Sequence, residues 1–183
     1  MTDQFAVLGN PIKPSLSPHI HQQFAQHHNH QIVYEKIEAP LNDFKATVAK
    51  LHQQGYSGLN VTLPFKLEAH ALAESLSERA TLAGAANTLI RTEQGWRGDN
   101  TDGIGLISDL EAVLGDGLHN MHILILGAGG SVQGILPALL EQKPASIHIA
   151  NRTLAKAEEQ VGHYQDETLT ASGLDYKLSL IHI

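Results

Sequence analysis

Short apolar runs alternate along the chain with longer segments in which apolar residues recur every three or four positions. The first pattern predicts buried strands, and the second predicts amphipathic helices. Strands are expected at residues 5–9, 32–37, 58–62, 87–91, 123–126, 147–150 and 178–183, with a short return strand near residue 96. Helices are expected from residue 17, from 42 or 43 to 54, at 66–73 and 76–83, from 103, at 135–140 and at 154–163. This alternation predicts an α/β fold with mostly parallel sheets.

The first predicted helix begins with residues that have strong positional preferences. Ser17 precedes Pro18, and proline is favoured at the first helical position, so Ser17 is expected to be the N-cap.

The helix that begins near residue 103 is expected to connect two domains. Its apolar residues recur every three positions, at Ile104, Ile107, Leu110 and Val113, and they are expected to form one buried stripe. We place the boundary near residue 101, so that residues 1–101 form one domain and residues 102–183 form a second.

Composition narrows the classes of partner. The chain has 12 basic and 19 acidic residues, a formal net charge of -7 and no cluster of Lys and Arg, so neither nucleic acid nor a membrane is an expected partner. It has no cysteine, which excludes disulfides and thiolate sites. We find no secretory leader and no run of about 18 apolar residues. A cytoplasmic protein that binds a small molecule is expected.

The 12 histidines raise the question of a metal site. His19 and His21 are two positions apart in a predicted helix and therefore point in different directions. No His-Glu-x-x-His pattern or carboxylate cluster completes a ligand set, so no bound metal is expected.

A glycine-rich turn separates the strand predicted at 123–126 from the next helix. Its residues are Gly127, Ala128, Gly129, Gly130 and Ser131. Glycine lets the backbone approach a pyrophosphate closely, and the free N–H groups of a helix start bind phosphates. Val132 stands where a strict Gly-x-Gly-x-x-Gly motif has its third glycine, so a turn that binds nothing is the alternative.

The end of the next predicted strand favours NADP over NAD. An NAD site of this type places a carboxylate there to bind the ribose 2′-hydroxyl, but this chain has Asn151, Arg152 and Thr153. An arginine with two neutral donors suits a 2′-phosphate. The alternative is that Thr153 caps the next helix and Arg152 lies on the surface.

Lys66 and Asp102 each lie at a predicted helix start. The helix dipole disfavours a cation there, so a lysine in that position exchanges protons more readily, and an ionised aspartate is its natural partner. The alternatives are a solvated Lys66 and an Asp102 that only caps its helix.

Seven segments together resemble the shikimate dehydrogenase family, in the order and spacing of that family. They are Gly9-Asn10-Pro11, Ser15-x-Ser17-Pro18, Asn60-Val61-Thr62-Leu63-Pro64-Phe65-Lys66, Gly84-Ala85-Ala86-Asn87-Thr88, Gly98-Asp99-Asn100-Thr101-Asp102-Gly103, Gly127-Ala128-Gly129-Gly130 and Asn151-Arg152-Thr153. The resemblance extends to about residue 176. It implies a substrate domain followed by a Rossmann-like NADP-binding domain.

The resemblance also implies roles for individual residues. Ser15 and Ser17 would bind the carboxylate of the substrate, shikimate or 3-dehydroshikimate. Thr62, Asn87 and Asp102 would bind its ring hydroxyls. Lys66 would be the general acid and base at the C3 oxygen, held by Asp102, while hydride is exchanged with NADP.

The match is incomplete at the C-terminus. A dinucleotide fold has two mononucleotide-binding halves, and the sequence contains one of them, so the NADP domain is expected to be incomplete. Residues 177–183 also depart from the family, which favours a truncated reading frame with a foreign tail. The oligomeric state, homodimer or monomer, stays open.

Three alternatives remain at this point. The first is a quinate/shikimate dehydrogenase that uses NAD. The second is a different Rossmann-type oxidoreductase, which leaves the Ser-x-Ser and Asn-Val-Thr segments unexplained. The third is a non-catalytic fragment that binds shikimate or NADP without turnover.

Overall fold

The computed structural model describes residues 2–115 and 117–174 of the chain. The chain divides into two compact units, Met1–Asp102 and Gly103–Ile183. The last residue of the first unit is Asp102, one position beyond the expected boundary.

The first unit is built on a six-stranded sheet. Its elements are β1 (Asp3–Gly9), α1 (Ser17–His27), β2 (Ile32–Glu38), α2 (Phe44–Gln54), β3 (Gly58–Val61), α3 (Lys66–Leu72), β4 (Ser75–Leu76), α4 (Glu78–Ala83), β5 (Thr88–Arg91) and β6 (Trp96–Asp99). The strand order is β2-β1-β3-β5-β6-β4. β1 pairs in parallel with β2 and β3, whereas β5 runs antiparallel to β3 and β6. The carboxyl ends of β1 and β3 therefore share a sheet edge with the start of β5 and the end of β6.

The main core of this unit follows from the two-residue period of its strands. Leu8, Leu59 and Leu89 come from three neighbouring strands and are fully or almost fully buried. They belong to one cluster with Phe44 and Phe65, whose rings stack with centres 4.5 Å apart. Burying these side chains fixes the register of the strands, because a slip of one residue would turn them to the opposite face.

The second unit contains a parallel three-stranded sheet. Its elements are α5 (Asp102–Leu114), which starts on the last residue of the first unit, β7 (His122–Leu126), α6 (Gly130–Glu141), β8 (Ser146–Asn151), α7 (Leu154–Tyr164) and β9 (Leu169–Gly173). The strand order is β7-β8-β9, with both pairings parallel. Across both units, mostly parallel sheets are confirmed. None of the helices in the described ranges is long and apolar enough to span a bilayer.

Strand β7 is less buried than its apolar sequence indicated. Leu124 is 36% exposed and Leu126 is 69% exposed, whereas the run Ile123–Leu126 was expected to be fully buried. The physical reason is that β7 lies at the edge of the described sheet, where it pairs only with β8. The strand β9 was not expected, because the sequence Leu-Thr-Ala-Ser-Gly carries few apolar residues. The strand predicted at 178–183 lies outside the described residues.

Two helix starts differ from expectation. Ser17, the expected N-cap, is instead the first residue of helix α1, and Leu16 occupies the N-cap position. The Ser15 hydroxyl accepts the N–H of Ser17 at 3.3 Å. The helix predicted at 76–83 is instead the short strand β4 followed by α4. The Ser77 side chain caps α4 by accepting the N–H of Ala80 at 3.1 Å.

The expected stripe on α5 is only partly buried. Ile107 is buried and Leu110 is partly buried, but Ile104 is 45% exposed and Val113 is 74% exposed. A spacing of three drifts about 60° around a helix at each step. Val113 therefore lies roughly opposite Ile104, and the sequence pattern could not form one straight stripe.

Candidate active site

Lys66 and Asp102 form a hydrogen-bonded ion pair inside the first unit. Lys66 Nζ donates to Asp102 Oδ2 at 2.6 Å, and the Lys66 and Asp102 side chains are 9% and 23% exposed. Lys66 is the first residue of α3, and its carbonyl accepts the N–H of Ala86 at 2.9 Å. A solvated lysine, the alternative considered from the sequence, does not fit this burial.

Both oxygens of the Asp102 carboxylate accept hydrogen bonds from side chains. Its Oδ1 atom accepts from Asn87 Nδ2 at 2.9 Å while its Oδ2 atom accepts from Lys66. The position at the first residue of α5 also stabilises the negative charge through the helix dipole. The pair thus keeps a buried ammonium next to a carboxylate that is itself held in place.

Asn100, and not Asp102, caps the start of α5. The Oδ1 atom of Asn100 accepts the N–H of Asp102 at 3.0 Å, and its Nδ2 atom donates to the carbonyl of Ala85 at 2.9 Å. Asn100 is only 2% exposed. No separate role was predicted for Asn100, although an asparagine two positions before a helix-start aspartate is a known signal for an Asx turn.

Asn87 connects three polar neighbours at the start of β5. Its Oδ1 atom accepts from the N–H of Thr101 at 3.0 Å and from the Thr88 hydroxyl at 2.9 Å. Its Nδ2 atom donates to Asp102. This set of partners leaves one amide orientation for Asn87 and so fixes the carboxylate of Asp102.

Asp99 supports the loop that carries Asn100. Its carboxylate accepts from Ser77 Oγ at 2.5 Å, from Arg79 at 2.5 and 3.2 Å, and from the N–H of Asn100 at 2.7 Å. Burial alone would raise the pKa of Asp99. The hydrogen bonds from Arg79, Ser77 and Asn100 outweigh burial and hold that pKa below its usual value.

Ser15 and Ser17 lie together after β1. Their hydroxyl oxygens are 3.1 Å apart, and both side chains are partly buried. Two adjacent hydroxyls at the first turn of a helix offer hydrogen-bond donors where the dipole favours a negative group.

Thr62 is held at the end of β3 by its backbone. Its N–H donates to the carbonyl of Leu8 at 2.8 Å. Its methyl group lies so close to Gly9 that a Cβ added there would be 2.6 Å away. Glycine at position 9 is therefore required by this close approach.

The glycine-rich turn in the second unit leaves open space above its backbone. Gly127 has a φ of 116°, a region that favours glycine, and its N–H donates to the carbonyl of Ala150 at 2.8 Å. A Cβ added at Gly129 would meet nothing within 4 Å. Helix α6 begins at Gly130 with Gly129 as N-cap, and a glycine has no side chain to cover the first-turn N–H groups.

Gln160 of α7 supports this turn, a contact that was not predicted from the sequence. It is 7% exposed, and its Nε2 atom donates to the carbonyl of Gly129 at 3.3 Å. A single glutamine in an amphipathic helix carries no sequence signal of such a contact.

Arg152 and Thr153, which follow β8, are exposed. Asn151 is half-buried and donates from Nδ2 to the carbonyl of Thr153 at 2.8 Å. Thr153 occupies the N-cap position of α7, but its side chain makes no capping hydrogen bond. Arg152 is exposed and takes part in no ion pair within the described residues. Its guanidinium is therefore available to an anion.

Metal ligands do not cluster in the part of the chain that the structure describes. No group of three or more His, Asp or Glu side chains comes together there in a way that could hold an ion.

Two family models match the chain. The model described as "Shikimate dehydrogenase substrate binding domain" matches residues 7–89, and the model "Shikimate / quinate 5-dehydrogenase" matches residues 110–182. The second match includes residues 177–182, although residues 177–183 were expected to depart from the family.

Two curated relatives are shikimate dehydrogenases (NADP(+)). The chain is 47% identical over 175 residues to the shikimate dehydrogenase (NADP(+)) of Methylobacillus flagellatus, covering 94% of this chain and 65% of the relative. It is 48% identical over 176 residues to that of Laribacter hongkongensis, covering 96% of this chain and 64% of the relative. The chain thus spans slightly less than two thirds of the length of these relatives.

Solved structures of similar proteins have the same fold. The shikimate 5-dehydrogenase of Thermus thermophilus, in complex with NADP(H) and shikimate, superposes with a TM-score of 0.83 at 32% identity, covering 93% of this chain and 63% of the other. The shikimate dehydrogenase of Aquifex aeolicus gives a TM-score of 0.87 at 29% identity, covering 93% of this chain and 62% of the other.

Proposed function

Because the chain belongs to the shikimate dehydrogenase family, we propose that it carries the substrate-binding and proton-transfer residues of an enzyme that interconverts 3-dehydroshikimate and shikimate with NADP. The single observation that supports this most strongly is the buried ion pair between Lys66 and Asp102, with Asn87 on the second carboxylate oxygen.

Lys66 is the proton donor and acceptor of the proposed reaction. Reduction of a ketone adds a hydride to carbon and a proton to oxygen. NADPH supplies the hydride when it is bound, and the ammonium of Lys66 supplies the proton to the C3 oxygen. In the reverse direction the neutral amine takes the proton from the C3 hydroxyl. Asp102 holds Nζ in one position and stabilises its charged form, so both directions use the same geometry.

The other polar residues of the first unit orient the substrate. In this proposal Ser15 and Ser17 donate to the substrate carboxylate at the start of α1. Thr62, Asn87 and Asp102 bind the ring hydroxyls. A substrate with hydroxyls at different carbons loses these hydrogen bonds and leaves buried polar groups unpaired, which gives strong discrimination.

The second unit has donors that suit the pyrophosphate and the 2′-phosphate of NADP. The open turn of Gly127, Ala128, Gly129, Gly130 and Ser131 leaves room for a pyrophosphate beside the N–H groups of α6. The exposed guanidinium of Arg152, with Asn151 and Thr153, suits a 2′-phosphate. NADP is therefore the expected cofactor. A cytoplasmic location is part of the same proposal.

Calorimetric titration and an absorbance assay test the proposal. We expect the 183-residue chain to bind shikimate, and to bind NADP⁺ more tightly than NAD⁺. Formation of NADPH, followed by its absorbance with shikimate and NADP⁺ present, tests turnover. Quinate with NAD⁺ is the comparison, and a preference for that pair would favour the NAD-using alternative. Binding without turnover would indicate a binding fragment, and absence of shikimate binding would overturn the proposal.

A further inference from the structure

Gln160 of α7 holds the backbone of the glycine-rich turn by a hydrogen bond. Its Nε2 atom donates to the carbonyl of Gly129 at 3.3 Å, and the residue is 7% exposed. The same carbonyl also accepts the N–H of Gln133 at 3.1 Å, which is the first intrahelical bond of α6. The carbonyl would therefore be paired without Gln160. The second bond restrains the direction of the carbonyl instead of supplying a missing partner.

The direction of the Gly129 carbonyl determines where the N–H of Gly130 points. The two groups belong to one planar trans peptide unit and point in opposite directions. The N–H of Gly130 has no partner within its own helix, because it lies in the first turn of α6. It is therefore a donor that a bound anion can use.

This peptide unit has more rotational freedom than most. It lies between two glycines, which impose the weakest steric limits on the backbone, and it lies at a helix end, where helices fray. A Cβ added at Gly129 would meet nothing within 4 Å. Because packing does not hold the backbone at this point, hydrogen bonds have to hold it, and Gln160 provides one from a different helix.

A glutamine at position 160 is unfavourable for packing alone. Its Oε1 atom is buried and has no hydrogen-bond partner among the described residues, and a buried unpaired amide oxygen costs stability. Its neighbours on α7, Ala157 and Val161, pack in the apolar core of this unit. An apolar side chain would suit this environment better. The donor of the amide, and not its bulk, therefore distinguishes glutamine at this position.

We propose that Gln160 is a positioning residue for the cofactor, whose amide fixes the peptide unit between Gly129 and Gly130 so that the N–H of Gly130 faces the pyrophosphate of NADP. This inference rests on the proposed function. Gln160 does not touch the cofactor in this account. Its loss should weaken binding of a dinucleotide through the pyrophosphate, and should alter neither recognition of the 2′-phosphate nor binding of shikimate.

Gln160→Met removes the donor and keeps a side chain of similar length. We expect the dissociation constants for NADP⁺ and NAD⁺, measured by calorimetry, to rise by the same factor, about fivefold, because both carry a pyrophosphate. Affinity for shikimate should be unchanged. The midpoint of thermal unfolding should not fall, because the unpaired Oε1 atom is removed as well. Unchanged affinity for NADP⁺ would overturn the inference.

Adenosine 2′-monophosphate separates this role from a general loss of structure. It carries the 2′-phosphate but no pyrophosphate, so its dissociation constant in Gln160→Met, followed by NMR titration, should change less than about twofold. Equal weakening of this nucleotide and of NADP⁺ would indicate a disordered unit and would contradict the inference. Gln160→Leu, which is apolar but has a different shape, should weaken NADP⁺ as Gln160→Met does. Normal NADP⁺ affinity in Gln160→Leu would mean that side-chain shape, and not the donor, is responsible.

Gln142→Met is the matched control. Gln142 is a half-buried glutamine at the opposite end of α6, where it occupies the C-cap position. This variant should leave the affinity for NADP⁺ unchanged. If the unmodified chain and Gln160→Met bind NADP⁺ equally well, the inference fails while the proposed function stands. If the unmodified chain binds no NADP⁺, the proposed cofactor and the inference fail together.

Discussion

The Oδ1 atom of Asn100 accepts the backbone N–H of Asp102 at 3.0 Å. This bond caps α5 and leaves both oxygens of the Asp102 side chain to Asn87 and Lys66. Because Asn100 also donates to the carbonyl of Ala85, it ties the start of α5 to the segment that precedes Asn87. The geometry of the ion pair therefore depends on a residue that does not belong to it.

Replacing Asn100 should cost both stability and affinity. Asn100→Ala removes two buried hydrogen bonds and leaves the Ala85 carbonyl unpaired, so we expect a loss of about 2–4 kcal/mol in the free energy of unfolding, measured with urea. Shikimate affinity should fall as well. Asn42→Ala, at an exposed turn position, is the control and should change neither quantity. An unchanged stability of Asn100→Ala would show that the cap is dispensable.

Two glycines of α5 should respond to alanine with opposite signs. A Cβ at Gly103 would lie 2.7 Å from the Ala138 Cβ atom, whereas one at Gly105 would meet nothing within 4 Å. Gly103→Ala should destabilise the second unit by about 1–3 kcal/mol. Gly105→Ala should stabilise it by up to about 1 kcal/mol, because alanine favours a helix. Thermal unfolding of the two variants gives the comparison, and equal effects would contradict the close approach of α5 and α6.

The Asp99 carboxylate should stabilise the first unit only while it is ionised, and therefore not at strongly acidic pH. Its pKa is lower in the folded state than in the unfolded chain. The stabilisation is therefore complete above the unfolded pKa of about 4 and is lost as the pH falls through the folded pKa.

Asp99→Asn tests this expectation through urea unfolding as a function of pH. We expect the free energy of unfolding to fall by about 1–2 kcal/mol at about pH 7. The expected loss is small because the Arg79 side chain is 46% exposed, and solvent weakens its ion pair with Asp99. The difference from the unmodified chain should shrink below about pH 4. Asp109→Asn, at an exposed position of α5, is the control. A difference that stays constant down to about pH 2 would contradict the account.

Much of the fold could be predicted from local patterns, and the exceptions have physical causes. Proline, glycine and alternating apolar residues indicated most strands and helices correctly. Strand β9 was missed because a strand that gains its stability from pairing with β8 needs few apolar residues of its own. The exposure of β7 depends on which strands flank it, and that information lies in no local window of sequence.

Some residues of the candidate site could be predicted from the sequence and others could not. Lys66, Asn87 and Asp102 stand out because their motifs are distinctive, and the structure brings these three together. Asn100 lies inside one of these motifs but was given no role of its own, because its partner Ala85 lies 15 positions away in the sequence. Spacing within a motif cannot report such a contact.

Arg152 should distinguish NADP from NAD. Arg152→Ala removes the cationic donor for the 2′-phosphate, so the dissociation constant for NADP⁺ should rise by about tenfold or more. That for NAD⁺ should change less than about twofold, because NAD⁺ has no such phosphate. Arg97→Ala, another exposed arginine, is the control. Equal weakening of both dinucleotides would show that Arg152 does not bind the 2′-phosphate.

The proton-transfer role of Lys66 is the central claim, and shikimate oxidation by NADP⁺ in the Lys66→Ala variant tests it most directly. Lys50→Ala, at an exposed position of α2, controls for the loss of a positive charge. We expect kcat to fall by about 10²–10⁴ in Lys66→Ala, with shikimate affinity changed far less and with Lys50→Ala unchanged. Near-normal turnover by Lys66→Ala would contradict the assignment of Lys66 as the catalytic acid and base.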